Sequence, residues 1–282
     1  MLATRNSAVR PQAMLFTLYG DYIQHRGDEI WVGTLIKLFN QFGLSEQAIR
    51  SALSRMSQKG WLKVRRVHNK SYYGLTDKGK RLLSEGAELI YHGRQDHWDG
   101  KWHLLTYSIP EEKRDTRNLL RKRLSWLGYG MLSNATWMCP RDVGAELKEL
   151  IDSLDIEQYV EIFTATHKGF SEGKELVARC WDLDSINREY ARFLDKYKPR
   201  LEMFNSKVRD GDHIESSECF VERFMLIHEY RKFPFIDPEL PIELLPGGWL
   251  GGESAALFRE YHRLLADKAN QFFDSVFEKA PS

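Results

Sequence analysis

LSEQAIRSALSRMSQKGWLKVRRVHNKSYYGL, residues 44–75, reads as a helix, a tight corner and two short strands joined by a basic tip. Ser45 is a natural N-cap, and Glu46 suits the positive end of the helix dipole. At about 100° per residue, Ile49, Ala52, Leu53 and Met56 fall on one apolar stripe that faces a core. The opposite side carries Gln47, Ser51, Ser54 and Gln58, flanked by Arg50 and Arg55. Gly60 stops the helix. Residues 61–65 are β-prone, 66–70 form a polar turn and 71–75 return as a second strand. A surface helix with a solvated hairpin would share this pattern, so charge decides between the readings. From Leu44 to Arg81 there are ten Lys or Arg against Glu46 and Asp77, a local net of +8.

Amides, hydroxyls and guanidiniums on one helix face fit the edges of bases in a major groove: Gln pairs with adenine and Arg forks onto guanine. A basic ribbon suits phosphate or minor-groove contact. The stretch is therefore read as the recognition helix and wing of a winged helix-turn-helix. The expected DNA-contacting residues are Ser45, Gln47, Arg50, Ser51, Ser54 and Arg55 on the helix. On the wing they are Lys63, Arg65, Arg66, Asn69, Lys70 and Tyr72. Upstream, Pro11 opens a helix to about Gln24, residues 29–32 form a short strand, and Thr34 caps a second helix. Together these complete the winged-helix plan.

At 282 residues the chain should hold two or three domains. Its net charge of +1 hides an asymmetry: residues 1–90 carry 14 basic and 7 acidic side chains, leaving 27 and 33 for the remainder. A basic head on a mildly acidic body assigns nucleic-acid binding to the head and another task to the body. Cys139, Cys180 and Cys219 are widely spaced and odd in number, which indicates free thiols in a reducing cytoplasm. No apolar signal core or membrane-length run is present, so a soluble cytoplasmic protein is expected.

The expected domains are 1–90 (winged helix), a linker over 91–101, 102–170 (ferredoxin-like) and 171–282 (helical). In the linker, His92, His97 and Asp96, with Asp99 and nearby His103, match no metal-ligand spacing, so a polar connection is expected and no metal. From Trp102 the order strand, helix (111–127), strand, strand, helix (143–153), strand is the βαββαβ ferredoxin-like unit. Arginines on its first helix are read as a solvated face. Beyond Glu172 the pattern is helical, over 175–182, 185–197 and 217–233. Asp184 or Ser185 caps the second of these, a loop spans 234–252, and Ser254 caps a last helix. The class is α+β. No HExxH, GxSxG, GxGxxG or GK[ST] set occurs, so no catalytic residue and no cofactor are nominated.

Several runs carry a resemblance: residues 15–22 (LFTLYGDY), 30–33 (IWVG), 43–56 (GLSEQAIRSALSRM), 60–62 (GWL), 71–76 (SYYGLT), 228–233 (HEYRKF) and 237–241 (DPELP). The chain resembles the PaaX family of bacterial repressors over nearly its whole length. The resemblance implies a repressor of phenylacetic acid catabolic genes, with a winged-helix head, a ferredoxin-like middle and a helical C-terminal domain. It also implies release from DNA by phenylacetyl-coenzyme A or a related aromatic acyl thioester. A homodimer on a pseudo-palindromic operator is expected. A coenzyme A thioester needs cations for its phosphates and an apolar slot for its acyl end. Arg223, His228, Arg231 and Lys232, with Trp249, are the candidates; a packed helix with a basic edge is the alternative. The middle domain also resembles the small CRISPR-associated ferredoxin-like nuclease, in which an Asp near the end of the first strand binds metal. Ser108 stands there in this chain and is no comparable ligand for a hard cation. A metal-dependent nuclease and a winged-helix scaffold are thus the rival readings, and a dimerising scaffold is preferred for the middle domain.

Overall fold

The computed structural model describes residues 11–83 and 97–278, which fall into two compact units. Unit 1 comprises residues 1–90, 193–231 and 253–282; unit 2 comprises 91–192 and 232–252. The expected α+β class holds, with two antiparallel sheets among many helices.

Unit 1 begins with α1 (Pro11–Leu18), which widens into a π-helical turn over Tyr19–Ile23. Then come β1 (Glu29–Trp31), α2 (Val32–Asn40), α3 (Glu46–Gln58), β2 (Leu62–Val67) and β3 (Lys70–Leu75). A further helix, α4, occupies residues 77–83. The sheet order is β1-β3-β2, with Tyr73 opposite both Ile30 and Val64. Leu15, Leu18, Tyr19, Tyr22, Leu35, Leu38 and Phe39 are buried with the α3 stripe. Burial of Ile49, Leu53 and Met56 contributes roughly 1.5–3 kcal/mol each. Gly60 takes a φ of +70°, turning the chain so that the Trp61 amide bonds the Met56 carbonyl at 2.9 Å.

The same core receives two later helices, α9 (Ser216–Tyr230) and α11 (Gly251–Val276). Tyr22 meets Phe220 edge-on at 5.3 Å and stacks on Phe273 at 4.9 Å, while Phe42 meets Phe224 at 4.6 Å. Such pairs add about 0.5–1.5 kcal/mol each beyond area burial.

Unit 2 contains β4 (Trp102–Tyr107), α5 (Arg114–Trp126), β5 (Gly130–Ser133), β6 (Thr136–Cys139), α6 (Gly144–Leu154) and β7 (Val160–Ala165). The strand order β5-β6-β4-β7, antiparallel throughout, is the expected ferredoxin-like arrangement. Two-residue periodicity sorts the side chains. Leu105, Tyr107, Trp137 and Cys139 face α5 and α6 through Leu120, Leu124, Leu147 and Ile151. Trp102 and Met138 point the other way, onto a second core. That core is closed by Leu176 and Val177 of α7 (Gly173–Cys180), Leu183, and Leu240, Leu244 and Leu245.

Five local expectations are corrected. The wing turn is shorter: the strands pair out to Val67 and Lys70, leaving His68 and Asn69, with His68 at a φ of 52°. Thr34 lies within α2 rather than before it, and its hydroxyl donates to the Val276 carbonyl at 3.2 Å. Ser254 is a buried residue inside α11, not its cap. The 185–197 helix is α8 (Leu183–Arg209), 27 residues long; Asp182 caps it by accepting from the Ser185 amide, and Pro199 lies inside it. A short helix, α10 (Phe233–Ile236), interrupts the expected loop.

Candidate nucleic-acid interface

Ser45 caps α3 as expected, its hydroxyl accepting from the Ala48 amide at 3.2 Å. Because the apolar stripe is buried, the other face must look outward. Gln47, Arg50, Ser51, Ser54 and Arg55 are all exposed on it. Arg50 donates to Glu46 at 2.7 Å, an i,i+4 ion pair with both side chains more than half exposed. Such a pair stabilises by about 0–1 kcal/mol, so a guanine edge can compete for the guanidinium.

Across the hairpin, Lys63, Arg66 and Asn69 are exposed, and Arg65 and Lys70 are partly so. Two carboxylates sit among these cations. Glu29, on β1, accepts from Arg65 at 2.8 Å and lies 3.9 Å from Lys63. Glu278, just past α11, pairs with Lys70 and accepts from the Tyr72 hydroxyl at 3.3 Å. Tyr72 differs from its neighbours in the expected DNA-contacting set. Its ring is buried, with 1% of its surface exposed, and lies 5.8 Å from the Arg65 guanidinium, while its hydroxyl reaches Glu278. Neither carboxylate was singled out from the sequence. Glu29 directly precedes the β1 core residues and carries a faint signal, whereas Glu278 lies 208 residues from Lys70 and carries none.

The five candidate effector residues divide between the two units. Arg223, His228 and Arg231 belong to unit 1, and Lys232 and Trp249 to unit 2. Arg223, 6% exposed, is bound by both Asp21 carboxylate oxygens and donates to His262 Nε2 at 2.7 Å. Arg231 donates to the Ala13 carbonyl at 3.1 Å and to the Thr17 hydroxyl at 3.0 Å. In unit 2, Lys232 pairs with Glu189 at 2.5 Å, and Trp249 meets Tyr190 edge-on at 5.6 Å.

His228 Nδ1 lies 3.0 Å from the Thr17 hydroxyl, which itself donates to the Ala13 carbonyl. Neutral His228 therefore carries its proton on Nδ1. Burial, with Arg231 adding, lowers its pKa to about 4 from 6.5. Between these values the unfolded chain binds the proton and the folded one does not. His228 thus removes stability as pH falls from 6.5 towards 4, by roughly 3 kcal/mol in all. Urea unfolding at pH 7 and pH 4.5 is expected to show this loss in the parent protein and a smaller one in His228→Gln. Equal losses would contradict it.

Ser108 is exposed just past β4, its amide donating to the Tyr159 carbonyl at 2.8 Å. Among the linker residues, His97 lies 3.3 Å from Glu243, and Asp99 accepts from the Lys101 amide. His92 and Asp96 lie outside the described residues. Among the described residues no three His, Cys, Asp or Glu side chains converge on a possible metal position, and no helix is long and apolar enough to cross a membrane.

A winged helix with an outward polar recognition face, joined in one chain to a ferredoxin-like sheet, defines a class of nucleic-acid-binding regulators. Comparison with known proteins narrows the class. Residues 10–79 match the PaaX-like protein family, residues 95–177 the PaaX protein central Cas2-like domain, and residues 181–275 the PaaX-like protein C-terminal domain. The chain belongs to the PaaX-like family. It is 33% identical to the transcriptional repressor PaaX of Escherichia coli K12 over 265 residues, covering 92% of this chain and 82% of that protein. An uncharacterized protein from Mycobacterium tuberculosis shares the fold, with a TM-score of 0.62 and 24% identity over 94% of this chain and 99% of that one.

Proposed function

We propose that this protein is a DNA-binding transcriptional repressor of phenylacetate catabolic genes, released from its operator by an aromatic acyl-coenzyme A such as phenylacetyl-coenzyme A. The observation that carries the DNA-binding part is the α3 face, where Gln47, Arg50, Ser51, Ser54 and Arg55 are all exposed opposite a fully buried stripe. The likeness to the E. coli repressor over 92% of the chain supports repression as the outcome of binding. Base readout belongs to α3, and phosphate contact to Lys63, Arg65, Arg66, Asn69 and Lys70. Two copies place two heads on the half-sites of a pseudo-palindromic operator, because protein symmetry is mirrored in the DNA. No catalytic role is assigned.

An effector releases DNA only by favouring a conformation that docks poorly, and DNA must then weaken effector binding equally. A tenfold loss of operator affinity requires about 1.4 kcal/mol of coupling. Titration of the operator complex is expected to show phenylacetyl-coenzyme A weakening it, with free phenylacetate and free coenzyme A having little effect. A complex left intact by all three would remove the effector assignment and leave the DNA-binding reading standing.

A further inference from the structure

Beneath the wing, in unit 1, several donors surround one carboxylate. Lys70 pairs with Glu278, and the Tyr72 hydroxyl donates to the same oxygen at 3.3 Å. The Lys70 ammonium also lies 4.5 Å from the centre of the Trp31 ring, which fixes its position from the other side. The hydrogen bond from Lys70 and its charge, with smaller contributions from Tyr72 and the charge of Lys37, hold the Glu278 carboxyl below the usual range. Glu278 is therefore an anion at neutral pH. Lys37 is exposed on α2. Tyr72 is the telling member: a buried ring that delivers its hydroxyl to a partly exposed anion position.

Glu278 is delivered to this place by α11. Thr34 donates to the Val276 carbonyl at 3.2 Å, and Arg26 donates to Asn270 at 3.1 Å and to Asp274 at 2.5 Å. Anchoring so close to Glu278 keeps the carboxylate at high local concentration. The Lys70–Glu278 pair itself is 42% and 40% exposed, so it holds weakly and exchanges readily.

We infer that Lys70 and Tyr72 form an anion-binding cradle whose second occupant is a backbone phosphate of duplex DNA, and that Glu278 fills the cradle until DNA displaces it. This rests on the DNA-binding reading above and adds to it an internal competitor. Carboxylate and phosphate diester carry the same unit charge and accept the same donors, so one can replace the other without rebuilding the site. The exchange carries no sequence information, because phosphate contacts position the protein rather than read bases.

The test is a double-mutant cycle on full-length protein, with binding to an operator duplex and a scrambled duplex measured by fluorescence anisotropy at low salt. Glu278→Gln is expected to tighten binding to both duplexes about two- to five-fold, the scale of an exposed ion pair. In a Lys70→Met background the same change should have no effect. Thermal unfolding of each variant confirms that the compared proteins are folded. If the parent binds the operator and Glu278→Gln binds no more tightly, or if tightening persists without Lys70, the competitor is wrong. If the parent binds neither duplex, the DNA-binding reading falls and takes this inference with it.

Discussion

Replacing Asp21 by Ala is expected to destabilise the protein by about 3–5 kcal/mol, because it leaves a buried guanidinium without its counter-charge. Arg223 is 6% exposed and bound by both Asp21 oxygens, and its other close partners, His262 and the Tyr22 ring 5.0 Å away, bring no negative charge. A domain is stable by about 5–15 kcal/mol in total, so this single change removes a large share. Replacing both partners with apolar residues of similar volume, Asp21→Leu with Arg223→Met, is expected to restore most of the loss. The cost of the single change lies in the orphaned charge rather than in the missing attraction. Urea unfolding of the parent, the single variant and the double variant checks this. A loss under about 1 kcal/mol for Asp21→Ala would mean that water reaches Arg223.

The second large effect is expected at α3. Gln47→Ala and Arg50→Ala should each lower operator affinity by roughly 1–3 kcal/mol, five-fold to more than a hundred-fold, with much smaller losses on unrelated DNA. Both side chains project from the first half of a helix whose opposite face is buried, so neither substitution disturbs the core. For Arg50 the ion pair with Glu46 must first be released, which places its effect towards the lower end of the range. Equal losses on operator and random duplexes would reassign the two residues to the phosphates.

What the sequence disclosed depended on the reach of each interaction. The α3 stripe, the Ser45 cap and the Gly60 stop are settled within a few residues of one another, and all three are found in place. The βαββαβ order follows from local periodicities alternating between two and 3.6, and the sheet has the corresponding strand order. Polar side chains that bind distant partners were misread. Thr34 resembles a cap because its hydroxyl is polar and precedes an apolar run, but its acceptor lies 242 residues away. The helix expected to end at Tyr197 continues through Pro199 to Arg209. Arg231 and Lys232 are adjacent in sequence, and their partners, Thr17 and Glu189, lie in different units. Asp21 offered a usable signal, a carboxylate set among the apolar residues of the first helix, but nothing local identifies Arg223 as its partner.

The central claim is that α3 and the wing bind duplex DNA with sequence preference. Its most direct test measures the unmodified protein against promoter DNA of the phenylacetate catabolic genes from the same genome and a scrambled duplex of equal length, over a range of salt concentrations. The account predicts promoter affinity on the order of a thousand-fold or more above scrambled DNA. It also predicts a linear fall of log K with log salt concentration on both duplexes, as Lys and Arg release counterions. Equal affinity for the two duplexes, or no binding to either, would contradict it.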